Sequence, residues 1–138
     1  MRTEPAVVLY VDDNPNSRRL LTSVLQDSGF EVITADNAVE ALGLCKSIFF
    51  DVALVDYQMP VMSGGELAEE IKCLMPGVPV VLLSGRIRIP PAVLVFVDAH
   101  FGSGTTLDEL IEKLRMLAQV KNHFLPTRRS QMPWSDST

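Results

Sequence analysis

The sequence is poor in cysteine and tryptophan, with two of the first and one of the second among 138 residues. Cys45 and Cys73 lie 28 positions apart in segments of helical pattern. That spacing indicates neither a disulfide framework nor a zinc cluster. Long apolar runs are missing as well. The run Ala6 to Val11 stops at Asp12-Asp13, too short and too acidic for a signal peptide or a membrane span. Basic residues are outnumbered, twelve Lys and Arg against seventeen Asp and Glu, for a net charge of −5. Such a balance speaks against non-specific nucleic-acid binding. The excess acid sits in the body: residues 1–121 carry ten bases and sixteen acids, while residues 122–138 are net +1. What is present is the composition of one globular domain, 47% apolar and 21% charged, long enough to bury its own core. A cytoplasmic domain with no nucleic acid and no membrane among its partners is the expectation.

Strands and helices alternate along the chain. Ala6 to Val11 is a continuous apolar run ended by acids, as in a strand buried on both faces. Asn14-Pro15 reads as an N-cap and first helical residue, followed by the stripe Leu20, Leu21, Val24 and Leu25. Phe30 to Thr34 is a second strand, and Asn37 caps a helix carrying Val39, Leu42 and Cys45. Asp51 to Asp56 is a third buried strand. Pro60 and Gly64-Gly65 mark a loop before a helix with Leu67, Ile71 and Leu74. Val78 to Leu83 is a fourth strand, followed by Ser84-Gly85. Pro90-Pro91 opens a short helix over Ala92 to Val97, and Ala99 to Phe101 is a brief fifth strand. A strand over Ala92 to Val97, which its β-branched residues favour, would leave almost no connection after strand four. Thr106 and Glu109 have capping-box spacing at the head of a last helix. The globular body is expected to end at residue 121, with 122–138 as a flexible tail.

This order predicts an α/β fold, a doubly wound five-stranded parallel sheet of order 2-1-3-4-5 with five helices. The order brings the ends of strands one and three together, and with them Asp12, Asp13 and Asp56. Three carboxylates in one cleft repel one another, and their burial is costly without a cation. A hard divalent ion such as Mg²⁺, held by carboxylates with phosphate and water, answers that cost. Any one of these acids alone would read as a turn or cap residue. Ser84, at the end of the neighbouring strand, adds a hydroxyl suited to a phosphoryl oxygen.

The segments Val11-Asp12-Asp13-Asn14, Asp56-Tyr57-Gln58-Met59-Pro60-Val61-Met62-Ser63-Gly64 and Leu83-Ser84-Gly85 together resemble the receiver domain of two-component response regulators, over roughly residues 6–119. The resemblance implies a stand-alone phosphoacceptor switch with at most slow self-catalysed phosphotransfer and dephosphorylation, rather than an enzyme with turnover. It implies that Asp56 accepts a phosphoryl group from a sensor histidine kinase or phosphotransfer protein. It assigns Asp12, Asp13, Asp56 and the backbone carbonyl of Gln58 to Mg²⁺, and Ser84 to the phosphoryl group and the switch. The downstream partner would be a protein met through a surface that changes on phosphorylation.

One position departs from the pattern. The family carries a Lys at the end of strand five, and alignment places Ser103 there, with no Lys between Lys72 and Lys113. His100 falls where the family usually has a switching aromatic. The departure keeps a second function open, an atypical receiver acting as a phosphorylation-independent interaction module. A phosphohydrolase of the haloacid-dehalogenase type would want Asp-x-Asp, whereas Asp12 and Asp13 are adjacent. Gly102 to Thr106 is glycine-rich but lacks the Gly-Lys-Ser/Thr ending of a phosphate-binding loop.

Overall fold

The computed structural model describes residues 4–124. Five strands run in chain order β1 (Val7–Val11), β2 (Glu31–Ala35), β3 (Val52–Asp56), β4 (Val80–Gly85) and β5 (Ala99–Gly102). They alternate with α1 (Pro15–Asp27), α2 (Ala38–Cys45), α3 (Gly64–Leu74), α4 (Pro91–Leu94) and α5 (Leu107–Phe124). The strands form one parallel sheet of order β2-β1-β3-β4-β5. The central strands β1, β3 and β4 are largely apolar up to their carboxyl ends because both faces of the sheet are covered. Leu9, Val11, Ala53, Val55, Val80 and Leu82 face a core with Ala41, Leu67, Ala68 and Ile71 of α2 and α3. Val8, Tyr10, Val52, Leu54 and Val81 face the opposite core with Leu25 of α1 and Leu110, Leu114 and Ala118 of α5.

The helix starts follow from their caps. The Asn14 side chain accepts from the backbone N–H groups of Asn16 and Ser17 at 2.9 and 3.0 Å, with Pro15 behind it. Asn37 accepts from Glu40 N–H at 2.8 Å. Thr106 and Glu109 close the expected capping box, N–H to carboxylate at 2.9 Å and N–H to hydroxyl at 3.1 Å.

Several boundaries differ from the sequence reading. Gly64 and Gly65 lie in the first turn of α3 rather than in the loop before it. Ser63 and Glu66 form a capping box that starts the helix early, with Ser63 N–H on the Glu66 carboxylate at 3.0 Å. Strand β4 begins and ends two residues later than expected, so Ser84 and Gly85 belong to the strand, and Gly85 has φ +58°. Helix α4 shrinks to Pro91–Leu94. Of the apolar residues read on α2, Cys45 is buried, whereas Val39 is 77% exposed and Ala38 and Ala41 take the inner face with Cys45. Leu20, read as part of the inner stripe of α1, is 70% exposed. Helix α5 is traced to Phe124, so the boundary drawn at residue 121 falls inside a helix. The rest of the expected tail, 125–138, lies outside the described residues.

Candidate functional site

The carboxyl ends of β1 and β3 deliver the acids. Parallel pairing sets Val11 beside Val55, so Asp12-Asp13 and Asp56 leave the sheet at adjacent points. One carboxylate oxygen from each of Asp12, Asp13 and Asp56 lies within 4.8 Å of the others. Asp12 is buried, Asp56 half-buried and Asp13 exposed. The three border a cleft of about 730 Å³, whose walls include Tyr10, Gln58, Leu83, Ser84 and Gly85. Every expected side chain therefore reaches one cavity, and Gln58 borders it too.

Electrostatics follow from this crowding. Burial, then the charge of Asp12, push the Asp56 carboxyl up to about 6, and Asp13 adds to the rise. The N–H of Gln58, donating to Asp56 at 3.3 Å, works in the opposite direction. The donor set is all oxygen and predominantly anionic, which fits a hard divalent cation and suits no soft metal. Burial and the bond to the Asp12 carboxylate also raise the Tyr10 phenol above its ordinary range.

Backbone packing fixes Asp56. Tyr57 N–H donates to Leu83 O at 2.8 Å, and Gly64 N–H donates to Tyr57 O at 2.8 Å. A Cβ on Gly64 would lie 2.4 Å from the Asp56 carbonyl oxygen and 2.6 Å from Tyr57 Cα. Only glycine lets α3 approach this closely. Gly64→Ala is expected to destabilise the fold by about 2–4 kcal/mol, since backbone must shift. Urea unfolding measures this, and a change within about 0.5 kcal/mol would contradict the close approach.

The β4–β5 side is looser. Ser84 is buried, but its hydroxyl makes only a long 3.5 Å contact to Phe101 O. Ser103, just past β5, donates its N–H to Gly85 O at 2.7 Å. His100 is exposed, while its neighbour Phe101 packs against the α1–α5 core. Three features escaped the sequence reading. Tyr10 donates to Asp12 at 2.6 Å, a link signalled by the i, i+2 spacing that puts both on one strand face. Arg18 donates to the Asp12 carbonyl at 2.6 Å. Asp98 accepts from Lys72 Nζ and Val80 N–H, both at 2.8 Å, and so fastens the start of β5 to α3 and β4.

Comparison with known proteins agrees with this arrangement. The family model described as the response regulator receiver domain matches residues 8–101. The transcriptional regulatory protein GlrR of Escherichia coli is 37% identical over 93 residues, 67% of this chain and 21% of GlrR. The chain thus spans about a fifth of that relative. A CheY-like receiver domain protein from Methanospirillum hungatei superposes with a TM-score of 0.80 at 27% identity, over 88% of this chain and 100% of that one. TrrA of Thermotoga maritima, solved in complex with Mg(2+)-BeF, has a TM-score of 0.75 at 35% identity over 81% of this chain and 98% of its own. TrrA has also been solved in complex with the histidine kinase ThkA, with a TM-score of 0.75 at 34% identity, over 81% of this chain and 97% of that one. An acid cluster at the switch point of a five-stranded parallel sheet, together with these matches, makes the chain a member of the response regulator receiver family. Its class of work is phosphorelay signalling, in which receivers serve as phosphoacceptor switches. Among the described residues, no helix is long and apolar enough to cross a membrane.

Proposed function

We propose that this domain is phosphorylated on Asp56 by a histidine kinase or phosphotransfer protein and passes the signal on through protein contacts. The observation that carries the reading is the meeting of three carboxylates within 4.8 Å at the ends of β1 and β3. TrrA, bound in one structure to Mg(2+)-BeF and in another to a histidine kinase, supports the same assignment. Asp12, Asp13, Asp56 and the Gln58 carbonyl would hold Mg²⁺, which supplies positive charge where phosphoryl oxygens crowd the acids. An Asp56 carboxylate oxygen attacks phosphorus in line, the P–N bond to the donor histidine breaks, and that histidine keeps the electron pair and takes a proton. The product is an acyl phosphate on Asp56, which water slowly hydrolyses. Ser84 is the donor that moves to the new oxygens. Its long bond to Phe101 O costs little to break, and its departure loosens the β4–β5 contact. With free Cys45 and Cys73 and a kinase donor, the reading places the domain in the cytoplasm.

Intact mass after incubation with acetyl phosphate and Mg²⁺ tests the class of activity. A stoichiometric gain of about 80 Da, one phosphoryl group, is expected. Steady release of phosphate without a labelled protein would mark a hydrolase. No labelling at all would favour the phosphorylation-independent interaction module.

Ser103 in the place of the family's strand-five Lys removes one charge partner for the phosphoryl group. Charge-assisted hydrogen bonds are roughly twice as strong as neutral ones, so the switch is driven less far. Ser103→Lys is expected to enlarge the amide shift changes over residues 84–106 on adding beryllofluoride and Mg²⁺. Arg86→Ala, removing the exposed cation two residues past Ser84, is expected to shrink them in the wild-type background. Unchanged shifts in Ser103→Lys would move responsibility to the shortened α4 region.

A further inference from the structure

Tyr10 is the largest polar side chain inside the sheet, and nothing in the phosphoryl chemistry above uses it. It is 1% exposed, deep in the α1–α5 core, with its ring among apolar neighbours. Its hydroxyl emerges at the cleft and donates to Asp12 Oδ2 at 2.6 Å. The other carboxylate oxygen, Oδ1, accepts from Asn14 N–H at 2.9 Å. Asp12 itself is 5% exposed, so this pair of donors replaces much of the water an ionised carboxylate would otherwise hold. The nearby guanidinium of Arg18 is spent on the backbone carbonyl of Asp12, at 2.6 Å, rather than on the acid group.

We propose that Tyr10 is a positioning residue that compensates the charge of Asp12 when no cation is present, and so holds down the affinity of the cluster for Mg²⁺. The proposal rests on the reading of Asp12, Asp13 and Asp56 as the metal-binding acids. Its logic is a thermodynamic cycle. A hydrogen bond to a carboxylate is strongest when that charge has no other partner, and weakens when a cation shares it. The phenol therefore stabilises the metal-free cluster more than the metal-bound one. By linkage, that difference appears as weakened ion binding. A site tuned this way keeps its acids ordered without a cation and lets the ion exchange readily. The 2.6 Å bond also fixes the orientation of Asp12, because Oδ1 and Oδ2 are both engaged.

Tyr10→Phe keeps the ring and deletes only the hydroxyl. Titration calorimetry with MgCl₂ is expected to show tighter binding in the variant, by about threefold to tenfold, as the loss of one charge-assisted bond in the metal-free state predicts. The metal-free variant should melt below the metal-free wild type. A role confined to packing would lower the melting point and leave the Mg²⁺ affinity where it was. Equal or weaker Mg²⁺ binding by Tyr10→Phe, with the wild type binding, would overturn the tyrosine's role and leave the metal reading intact. Absence of Mg²⁺ binding in both proteins would overturn the metal reading and this proposal with it. A second measurement needs no change at Tyr10. The chain has two tyrosines, so in Tyr57→Phe the tyrosine absorbance belongs to Tyr10 alone. Adding Mg²⁺ should shift that absorbance to shorter wavelength as the bond to Asp12 weakens, and an unmoved spectrum would overturn the proposal even if Tyr10→Phe failed to fold.

Discussion

Asp56→Asn is expected to be more stable than the wild type at neutral pH in the absence of divalent cations, by about 2 kcal/mol. Burial and the charges of Asp12 and Asp13 raise the Asp56 carboxyl from 3.8 to about 6. A raised acid favours the fold while it is protonated. Its contribution is complete below the unfolded value near 3.8 and is lost as pH rises through 6. The full shift would correspond to roughly 3 kcal/mol at 1.36 kcal/mol per unit, and partial solvent screening brings this to about 2. Denaturant titrations from pH 4 to pH 8 should show the wild type losing stability across that window, while Asp56→Asn lacks the decline. The gap at pH 7.5 should appear as roughly 5–10 °C in Tm for a domain of this size. A variant no more stable than the wild type at pH 7.5 would mean that the three acids do not repel as their spacing requires. The Asp56 carboxylate thus works against the fold that holds it.

The second large effect concerns the cation that relieves this repulsion. Mg²⁺ is expected to stabilise the wild type by mass action, by about 1.4 kcal/mol at ten times its Kd, and more at higher concentration. Asp13→Ala should remove most of that gain, since the exposed Asp13 carboxylate is the member of the cluster most open to an incoming ion. The variant should also be somewhat more stable than the wild type without Mg²⁺, one like charge having gone from beside Asp56. Melting curves with and without MgCl₂ at low ionic strength, with KCl matched for charge, separate specific binding from screening. An equal Mg²⁺ gain in wild type and Asp13→Ala would remove Asp13 from the metal site.

Much of this architecture is legible in the residues alone. The runs Ala6 to Val11 and Asp51 to Asp56 mark strands buried on both faces, and each ends in acid, which places the cluster at the sheet's switch point. Asn14-Pro15 and Thr106 with Glu109 mark helix starts that the structure reproduces. The misreadings have identifiable causes. Gly64-Gly65 has the look of a loop, but the Ser63–Glu66 capping box outweighs it, and tight packing of α3 on Asp56 requires the small residues. Val39 is apolar and helical, yet the narrow apposition of α2 to the sheet selects Ala38 and Ala41 for the interior. Helix α4 is a single short turn beginning at Pro91, so no periodicity exists to read there. At the site, strand ends and turn residues reveal which acids meet. The bond from Tyr10 to Asp12 is implicit in strand alternation, but a tyrosine within an apolar run reads first as core. The Lys72–Asp98 pair spans 26 positions and leaves no local signal at all.

Exposing wild type and Asp56→Asn to acetyl phosphate with Mg²⁺ and comparing their intact masses tests whether Asp56 is the phosphoacceptor. One labile label is expected on the wild type, a gain of about 80 Da that is lost in mild alkali as an acyl phosphate is, and no label on Asp56→Asn. A stoichiometric, acid-stable label that persists in Asp56→Asn would place the phosphoryl group elsewhere and remove Asp56 as the acceptor.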